Sequence, residues 1–552
     1  MHVMTETTDD QLQLCRRGAA LYRQALDAVG RSLAQKVQKE GKVSADAFNC
    51  IQVQSMQIAR ALAEHAAIEA MLQYGDRGGA FEQQLTITYA SQGVIDFAKL
   101  LLYDLDSVRT TSMTMLREFF TVADRLNAEI TPQAWSSLGK MILERDRDYS
   151  GTVQLDEVHE QFRETFSRFS DSVIGPLAEE THRKDKLVPD RVLGQLAELG
   201  VFGISIPEQY GGCFIDHLAM VIATEKLSRA SLGAGGSVLT RPEICAKALL
   251  AGGTEEQKQR WLPSIASGEK MVCVAVTEPN AGSDVARVSL TATRTDGGYV
   301  LNGEKTWATF AGRAEIICLL ARTGSPESGH KGLSLFIVEK PYDPAAADEY
   351  RFSHQQPTGG RIEGQAIPTI GYRGMHSFSV AFDNYFVPKE NLIGDEGAGF
   401  YLQMQGFAGG RIQTAARAIG VMEASFGAAV SYVKSRKLFG HHLADFTLTQ
   451  YKLARMAASI QASRQLAHHV AHMMDNHTGG TEASLVKLLA CKDAEWVTRE
   501  AMQLHGGMGY SEEYAVSRYF LDARVLSIFE GAEEVLALQV IARPYLQQFI
   551  GN

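Results

Sequence analysis

Apolar residues recur at helical spacing through the first part of the chain: Leu26, Val29, Leu33 and Val37, then Ile51, Ile58 and Leu62, with Gly41 and Gly75 between the runs. This pattern predicts helices almost throughout residues 1–150, and no catalytic constellation stands out among them. Arg145 to Glu157, RDRDYSGTVQLDE, is polar and carries a Ser-Gly pair, so a boundary or tether is expected there. Helical periodicity resumes from His159 to Glu269. From Met271 the pattern changes to short β-branched runs separated by turn signals (VCVAVT, SLTATRT-DGG-YVLNG, ICLLAR, LSLFIVEK), which predicts an antiparallel β-domain. After VPKENLIGDEGAGF, Ala- and Leu-rich helices run from Tyr401 to the end, long enough for a four-helix bundle with glycine-marked turns. The expected fold is α+β, mainly α, in four stretches: a helical extension over 1–150, a helical domain over 158–270, a β-domain over 271–395 and a C-terminal helical bundle over 396–552.

Composition narrows the function. With 552 residues, 45% of them hydrophobic and 21% charged, the chain can build several packed cores. Its 54 Lys and Arg against 64 Asp and Glu give a formal charge of -10, which provides no broad basic field for nucleic acid. Cysteines 15, 50, 213, 245, 273, 318 and 491 are scattered without C-x-x-C spacing, so neither a disulfide framework nor a thiolate metal site is expected, and the compartment is read as reducing. The opening MHVMTETTDDQLQLCRRGAA lacks the basic flank followed by a long apolar run of an export signal, and no stretch reaches membrane-spanning length. A cytoplasmic protein, without a membrane partner, is expected.

Three segments carry candidate chemistry. In VAVTEPNAGSDVA, Val274 to Ala286, a strand runs into a Pro-Asn-Ala-Gly-Ser turn with the hydroxyls of Thr277 and Ser283 at the strand end. Such a turn can receive a flavin edge or a pyrophosphate, or be an ordinary Asx-type loop. NGEKTWATFAG, Asn302 to Gly312, offers a hairpin turn at Asn302-Gly303, then Trp307 and Thr309 on one strand face at period two. The tryptophan is either core or the flank of a flat cofactor. In LSIFEGAEEV, Leu526 to Val535, Glu533 and Glu534 open a helix, where the dipole favours carboxylates. Glu530 lies instead between Ile528-Phe529 and Gly531, an apolar setting that suits a general base.

Taken with other landmarks, these residues resemble the acyl-CoA dehydrogenase family, from about Gln161 to Leu546. In order they are ELG and IPEQYGG (Glu198 to Gly212), GTEEQK (Gly253 to Lys258), TEPNAGSD (Thr277 to Asp284), VPKEN (Val387 to Asn391), SRKLFG (Ser435 to Gly440), QLHGGMG (Gln503 to Gly509) and FEG (Phe529 to Gly531). The resemblance implies a helical domain, a middle β-domain and a C-terminal bundle, with FAD held between the last two and reaching a neighbouring subunit, hence a homo-oligomer with a dimer favoured. It implies that Thr277, Ser283, Trp307 and Thr309 contact the flavin side. Arg436, Phe439 and the Gln503 to Gly507 stretch, with Gly506 and Gly507 in it, would contact the partner's FAD, and Gln450, Ala532 and Glu534 would also bind the cofactor. Glu530 takes the place of the catalytic base. The other place used in one branch of the family, just before Arg411, is Gly410 here. Arg411 would stand in the substrate pocket or in a buried ion pair, and Ser283 and Gly531 would also border substrate. The implied acceptor of the electrons is an electron-transfer flavoprotein.

The sequence departs from the family at Ala532, where Thr is usual, and in Phe446 to Gln450, which lacks the first glutamine of an F-Q-x-x-Q element. It departs also at Ala408, where an Asp often contacts CoA, and in a longer stretch from Lys340 to Arg373. Gly235 to Leu250 falls at the far wall of the family's acyl pocket and presents Thr240 and Arg241. A cation there disfavours a plain alkyl tail and favours a substrate ending in carboxylate, unless Arg241 is bridged to a local carboxylate such as Glu243. The resemblance implies α,β-desaturation of an acyl-CoA; with the helical extension and Arg241 it points to a short branched dicarboxylyl-CoA, methylsuccinyl-CoA going to mesaconyl-CoA. The alternatives are another short or branched acyl-CoA, glutaryl-CoA, or a non-catalytic flavin-binding scaffold.

Overall fold

The structure, a computed structural model, describes residues 7–103, 112–344 and 348–550. The first six residues, on which the reading of the N-terminal segment partly rests, residues 345–347 of the long stretch after Lys340, and the side chain at the Ala408 departure lie outside the described residues. Two compact units emerge: Met1–Asp156 with Thr414–Asn552, and Glu157–Gln413.

The first unit begins with α1 (Thr8–Val37), α2 (Gln52–Arg77), α3 (Ala80–Tyr103), α4 (Met113–Glu129) and α5 (Pro132–Leu143). Thr7 starts α1 through a reciprocal capping box with Asp10, and Thr131 accepts from the Ala134 N–H with Pro132 at the first helical position, so both starts are written in the local sequence.

The second unit opens with the helices α6 (Glu157–Phe169), α7 (His217–Ala230), α8 (Thr240–Gly252) and α9 (Glu255–Ala266). Its strands are β1 (Val272–Ala275), β2 (Thr291–Thr295), β3 (Gly298–Thr309), β4 (Ile316–Arg322), β5 (Leu333–Glu339), β6 (Arg351–Gln355), β7 (Arg361–Ala366), β8 (Ser377–Pro388) and β9 (Leu392–Ile393). They form one sheet in the order β9-β5-β4-β2-β3-β8-β7-β6, with β1 also on β4. The sheet is mixed: β1 and β2 pair with β4 in parallel, against the antiparallel expectation, because the chain leaves β1 through the 276–290 segment and returns in the same direction. Every residue of β4 is buried, as its unbroken run IICLLAR requires of a strand covered on both faces.

The hairpin turn also moves. Asn302 and Gly303 lie inside β3, and the turn that pairs β2 with β3 falls between Thr295 and Gly298, at Asp296-Gly297. Of two comparable Xaa-Gly turn signals, Asp296-Gly297 wins because only that register pairs Ala292 with Leu301 on the buried face.

After β9 comes α10 (Gly399–Ser435), which contributes to both units, followed by α11 (Thr447–Asp475), α12 (Glu482–Leu504) and α13 (Val516–Leu526) in the first. The extension packs on these C-terminal helices: Trp135 of α5 meets Tyr451 of α11 edge-on at 5.4 Å, and the fully buried Arg464 of α11 donates to Ser150 and Glu423. Among the described residues no helix is long and apolar enough to cross a membrane, no three His, Cys, Asp or Glu side chains converge to hold a metal, and all seven cysteines are free thiols.

Candidate active site

In the second unit, the turn after β1 is held by a buried ion pair that the sequence did not advertise. Lys305 of β3, 0% exposed, places its ammonium 2.9 Å from Glu278 and donates also to the Val276 carbonyl. The same carboxylate accepts from the N–H and hydroxyl of Ser289 and from the Leu290 N–H. Burial alone would raise the Glu278 carboxyl, but the Lys305 charge and these donors hold it below its ordinary value. Burial draws Lys305 down to about 8. The Thr306 N–H donates to the Thr277 carbonyl at 2.8 Å, clamping the turn to β3.

Around this clamp Thr277 is half-buried and Ser283 exposed. Trp307 is 55% exposed with φ of 58°, in the left-handed region, and the β3–β8 ladder slips between Phe378 and Val380 opposite it. This bulge breaks the expected period-two relation: Trp307 turns outward while Thr309 is buried, its hydroxyl 2.9 Å from that of Ser377. A bulky residue at positive φ is costly, and such strain clusters at working sites.

The distal-pocket candidates of this unit sit at the start of α8. Arg241 is 6% exposed; its guanidinium donates to the Ser237 carbonyl at 2.9 Å and to the Tyr372 hydroxyl at 2.8 Å. Glu243 is instead paired with Lys247, one helical turn away, so the local bridge expected as the alternative for Arg241 is not made. The hydroxyl of Thr240, fully buried beside it, has no hydrogen-bond partner. Arg411 lies half-buried on α10.

In the first unit, Glu530 stands in the loop after α13, half-buried, with φ of 54°. Among the described residues its carboxylate has no hydrogen-bond or ion-pair partner, and its N–H donates to no backbone carbonyl. The loop itself is firmly held. Lys487 of α12 donates to the Gly531 carbonyl at 2.6 Å, the buried Arg417 of α10 lies 4.7 Å over the Phe529 ring, and Glu533 pairs with Arg60 of α2 at 2.7 Å. Gly531 has φ of 95°, and a Cβ there would come within 2.9 Å of Leu536. Ala532 caps the short helix that Glu533 opens, and Glu534 faces solvent.

Arg436 and Phe439 occupy an exposed hairpin after α10, with Phe439 85% exposed. Just upstream, Tyr432 stacks on His505 at 4.2 Å, which brings this hairpin beside the exposed Gln503, Gly506 and Gly507. Gln450 is engaged inside the chain: its amide oxygen accepts from Ser136 of the extension and its nitrogen donates to the Ala444 carbonyl, which leaves one lone pair and one N–H of the amide.

Sequence comparisons match residues 156–269, 273–385 and 397–545 to the N-terminal, middle and C-terminal domains of acyl-CoA dehydrogenase. A (2S)-methylsuccinyl-CoA dehydrogenase of Cereibacter sphaeroides is 42% identical over 424 residues, covering 76% of both chains. Butyryl-CoA dehydrogenase of Megasphaera elsdenii superposes with a TM-score of 0.64 at 32% identity, over 71% of this chain and 98% of that one. A chain from a structure described as electron transferring flavoprotein of Acidaminococcus fermentans gives 0.64 at 33% identity, over 70% and 97%.

Proposed function

The chain belongs to the acyl-CoA dehydrogenase family, and on that premise we propose that it desaturates a short, branched dicarboxylyl-CoA, oxidising (2S)-methylsuccinyl-CoA to mesaconyl-CoA. The observation that carries this reading is Arg241: a buried guanidinium with two neutral partners and, among the described residues, no carboxylate, and an unpartnered buried hydroxyl on Thr240 beside it. A charge removed from water in this way is stabilised when a counter-charge arrives, and the free carboxylate of the substrate supplies one.

Members of the family carry FAD, and this chain fits it: Trp307 held outward by a bulge, next to a strand residue clamped to the Thr277 carbonyl, suits the face of a flat ring system, and Thr277 and Ser283 of the same turn offer hydroxyls to it. Bound FAD supplies the acceptor for the hydride that leaves the β-carbon. Glu530 removes the α-proton, which its partner-free carboxylate is able to accept. The backbone N–H of Glu530 donates to the thioester oxygen as negative charge develops there, an interaction worth about 3 kcal/mol when such a donor is lost. Lys487, Arg417 and Arg60 position the loop and touch no reacting atom.

The exposed hairpin of Arg436 and Phe439, beside Gln503 to Gly507, serves the cofactor of a second copy in a homodimer, where a guanidinium fork matches a pyrophosphate. The electrons pass on to an electron-transfer flavoprotein, and free thiols throughout suit a bacterial cytoplasm.

Arg241→Met tests the reading. It leaves the substrate carboxylate unpaired at a cost of about 3 to 5 kcal/mol, so turnover of methylsuccinyl-CoA falls several hundredfold while any slow turnover of 2-methylbutyryl-CoA is spared. Equal loss on both thioesters makes Arg241 a structural residue and overturns the assignment.

A further inference from the structure

Gly371-Tyr372-Arg373-Gly374, at the end of the long stretch that begins at Lys340, belongs to the same compact unit as Arg241. Tyr372 is 6% exposed and has φ of 58°, in the left-handed region that bulky side chains avoid. Such backbone persists only where the surroundings hold it, and here they do. The Arg373 guanidinium donates to the His182 carbonyl at 2.7 Å and to the Thr369 carbonyl at 3.1 Å, and the Val188 N–H donates to the Gly374 carbonyl at 2.8 Å. On another side the segment lies directly on a glycine: a Cβ at Gly233 would come within 2.1 Å of the Arg373 carbonyl oxygen. Just downstream, the Phe310 N–H donates to the His376 carbonyl at 2.7 Å and the Ser377 hydroxyl meets that of Thr309, which fixes the segment to the end of β3 as well.

This anchoring places one hydroxyl. Tyr372 Oη accepts from Arg241 Nη2 at 2.8 Å, and the guanidinium carbon lies 5.9 Å from the centre of the Tyr372 ring. The Ser237 carbonyl accepts from Nη1 at 2.9 Å. Arg241 is thus gripped at both terminal nitrogens by neutral acceptors. Of its five N–H donors, three make no hydrogen bond among the described residues. That remainder still includes N–H groups on neighbouring nitrogens, the fork that a carboxylate matches with both oxygens. A guanidinium held in advance also loses less freedom when its ligand docks.

We propose that Tyr372 is a positioning residue for acyl-chain specificity: its hydroxyl holds the Arg241 guanidinium in the orientation that receives the free carboxylate of the substrate. The inference rests on the reading of Arg241 under the proposed function, and adds that selectivity is built jointly by α8 and by the stretch that ends at Tyr372. A phenol suits the task. It accepts from the guanidinium without neutralising it, whereas a carboxylate in its place would pair with Arg241 and compete with the substrate.

The test compares the flavin-loaded parent, Tyr372→Phe, Arg241→Met and the double variant in turnover of methylsuccinyl-CoA and 2-methylbutyryl-CoA. Tyr372→Phe keeps the ring and the anchors of the segment, so it reads the hydroxyl alone. In this variant kcat/KM for methylsuccinyl-CoA falls about tenfold, chiefly through KM, and that for 2-methylbutyryl-CoA falls less than threefold. On the Arg241→Met background the same change alters neither by more than twofold, because nothing is left to position. Calorimetry adds a readout without turnover: in Glu530→Gln, adding Tyr372→Phe weakens methylsuccinyl-CoA binding at least fivefold. Equal loss on both thioesters, or a further tenfold loss on top of Arg241→Met, makes Tyr372 a structural residue and overturns the proposal. A preference for methylsuccinyl-CoA that Arg241→Met abolishes and Tyr372→Phe retains overturns this inference alone. A parent without that preference, or one whose preference survives Arg241→Met, overturns the reading of function beneath it and this inference with it.

Discussion

Lys305→Met isolates the buried clamp that shapes the turn after β1. Two unit charges 2.9 Å apart attract by about 6 kcal/mol at an effective dielectric of about 20, most of it offset by their desolvation. Methionine keeps the length of the stem and removes the charge, so the cost is that of a buried carboxylate without its counter-ion, about 3 to 5 kcal/mol. Glu278 keeps three donors at 2.7 to 2.9 Å, the Ser289 N–H, the Ser289 hydroxyl and the Leu290 N–H, which places the loss at the low end, about 3 kcal/mol. That figure corresponds to roughly hundredfold faster amide exchange by local opening in β2 and β3, measured by native-state hydrogen exchange with mass spectrometry. The double variant Glu278→Gln/Lys305→Met should recover at least about 1 kcal/mol, because no charge is then stranded. A single variant within about 1 kcal/mol of the parent, or a double variant that is simply additive, would refute the reasoning.

Other consequences follow from the first unit. Gly531→Ala puts a side chain at φ of 95° and 2.9 Å from Leu536, so kcat should drop at least tenfold while FAD stays bound, as read by turnover and absorbance; full activity would show that the loop tolerates the shift. Deleting residues 1–150 should lower soluble yield by uncovering the faces of α11 and α12 on which α5 and its neighbours pack, and a soluble, fully active truncation would contradict this. Glu64 has a folded value of about 7 against an ordinary 4.5, so the folded chain holds the extra proton between these values; the stability it contributes is complete below 4.5 and lost as pH rises through 7. Melting curves of Glu64→Gln from pH 4.5 to 8 should therefore decline less than those of the parent, and parallel curves would count against the assignment.

Much of the architecture was legible because periodicity and composition are local. The helical stretches, the change to β-branched runs at Met271 and the return to helix after VPKEN all appear in windows of a dozen residues, and the glutamate before Gly531 stood out by its apolar neighbours. What escaped depends on partners far along the chain. Glu278 is a turn residue in sequence and meets Lys305 only once β3 is paired; a Lys inside an otherwise alternating strand was the available signal. The outward Trp307 follows from a slip against β8, seventy residues later, which no local period encodes. The parallel β1–β4 pairing requires knowing that the intervening chain crosses over instead of folding back. The bond from Ser136 of the extension to the Gln450 amide oxygen likewise joins residues more than three hundred positions apart, which no motif around Gln450 encodes.

The most direct test of the account is anaerobic stopped-flow absorbance of the flavin-loaded full chain mixed with (2S)-methylsuccinyl-CoA and, separately, with 2-methylbutyryl-CoA. The account predicts rapid bleaching by the first thioester, bleaching slower by at least a hundredfold with the second, and none by either in Glu530→Gln with its FAD retained. Equal or faster bleaching by the uncharged chain, or bleaching at the parent rate in Glu530→Gln, would contradict it.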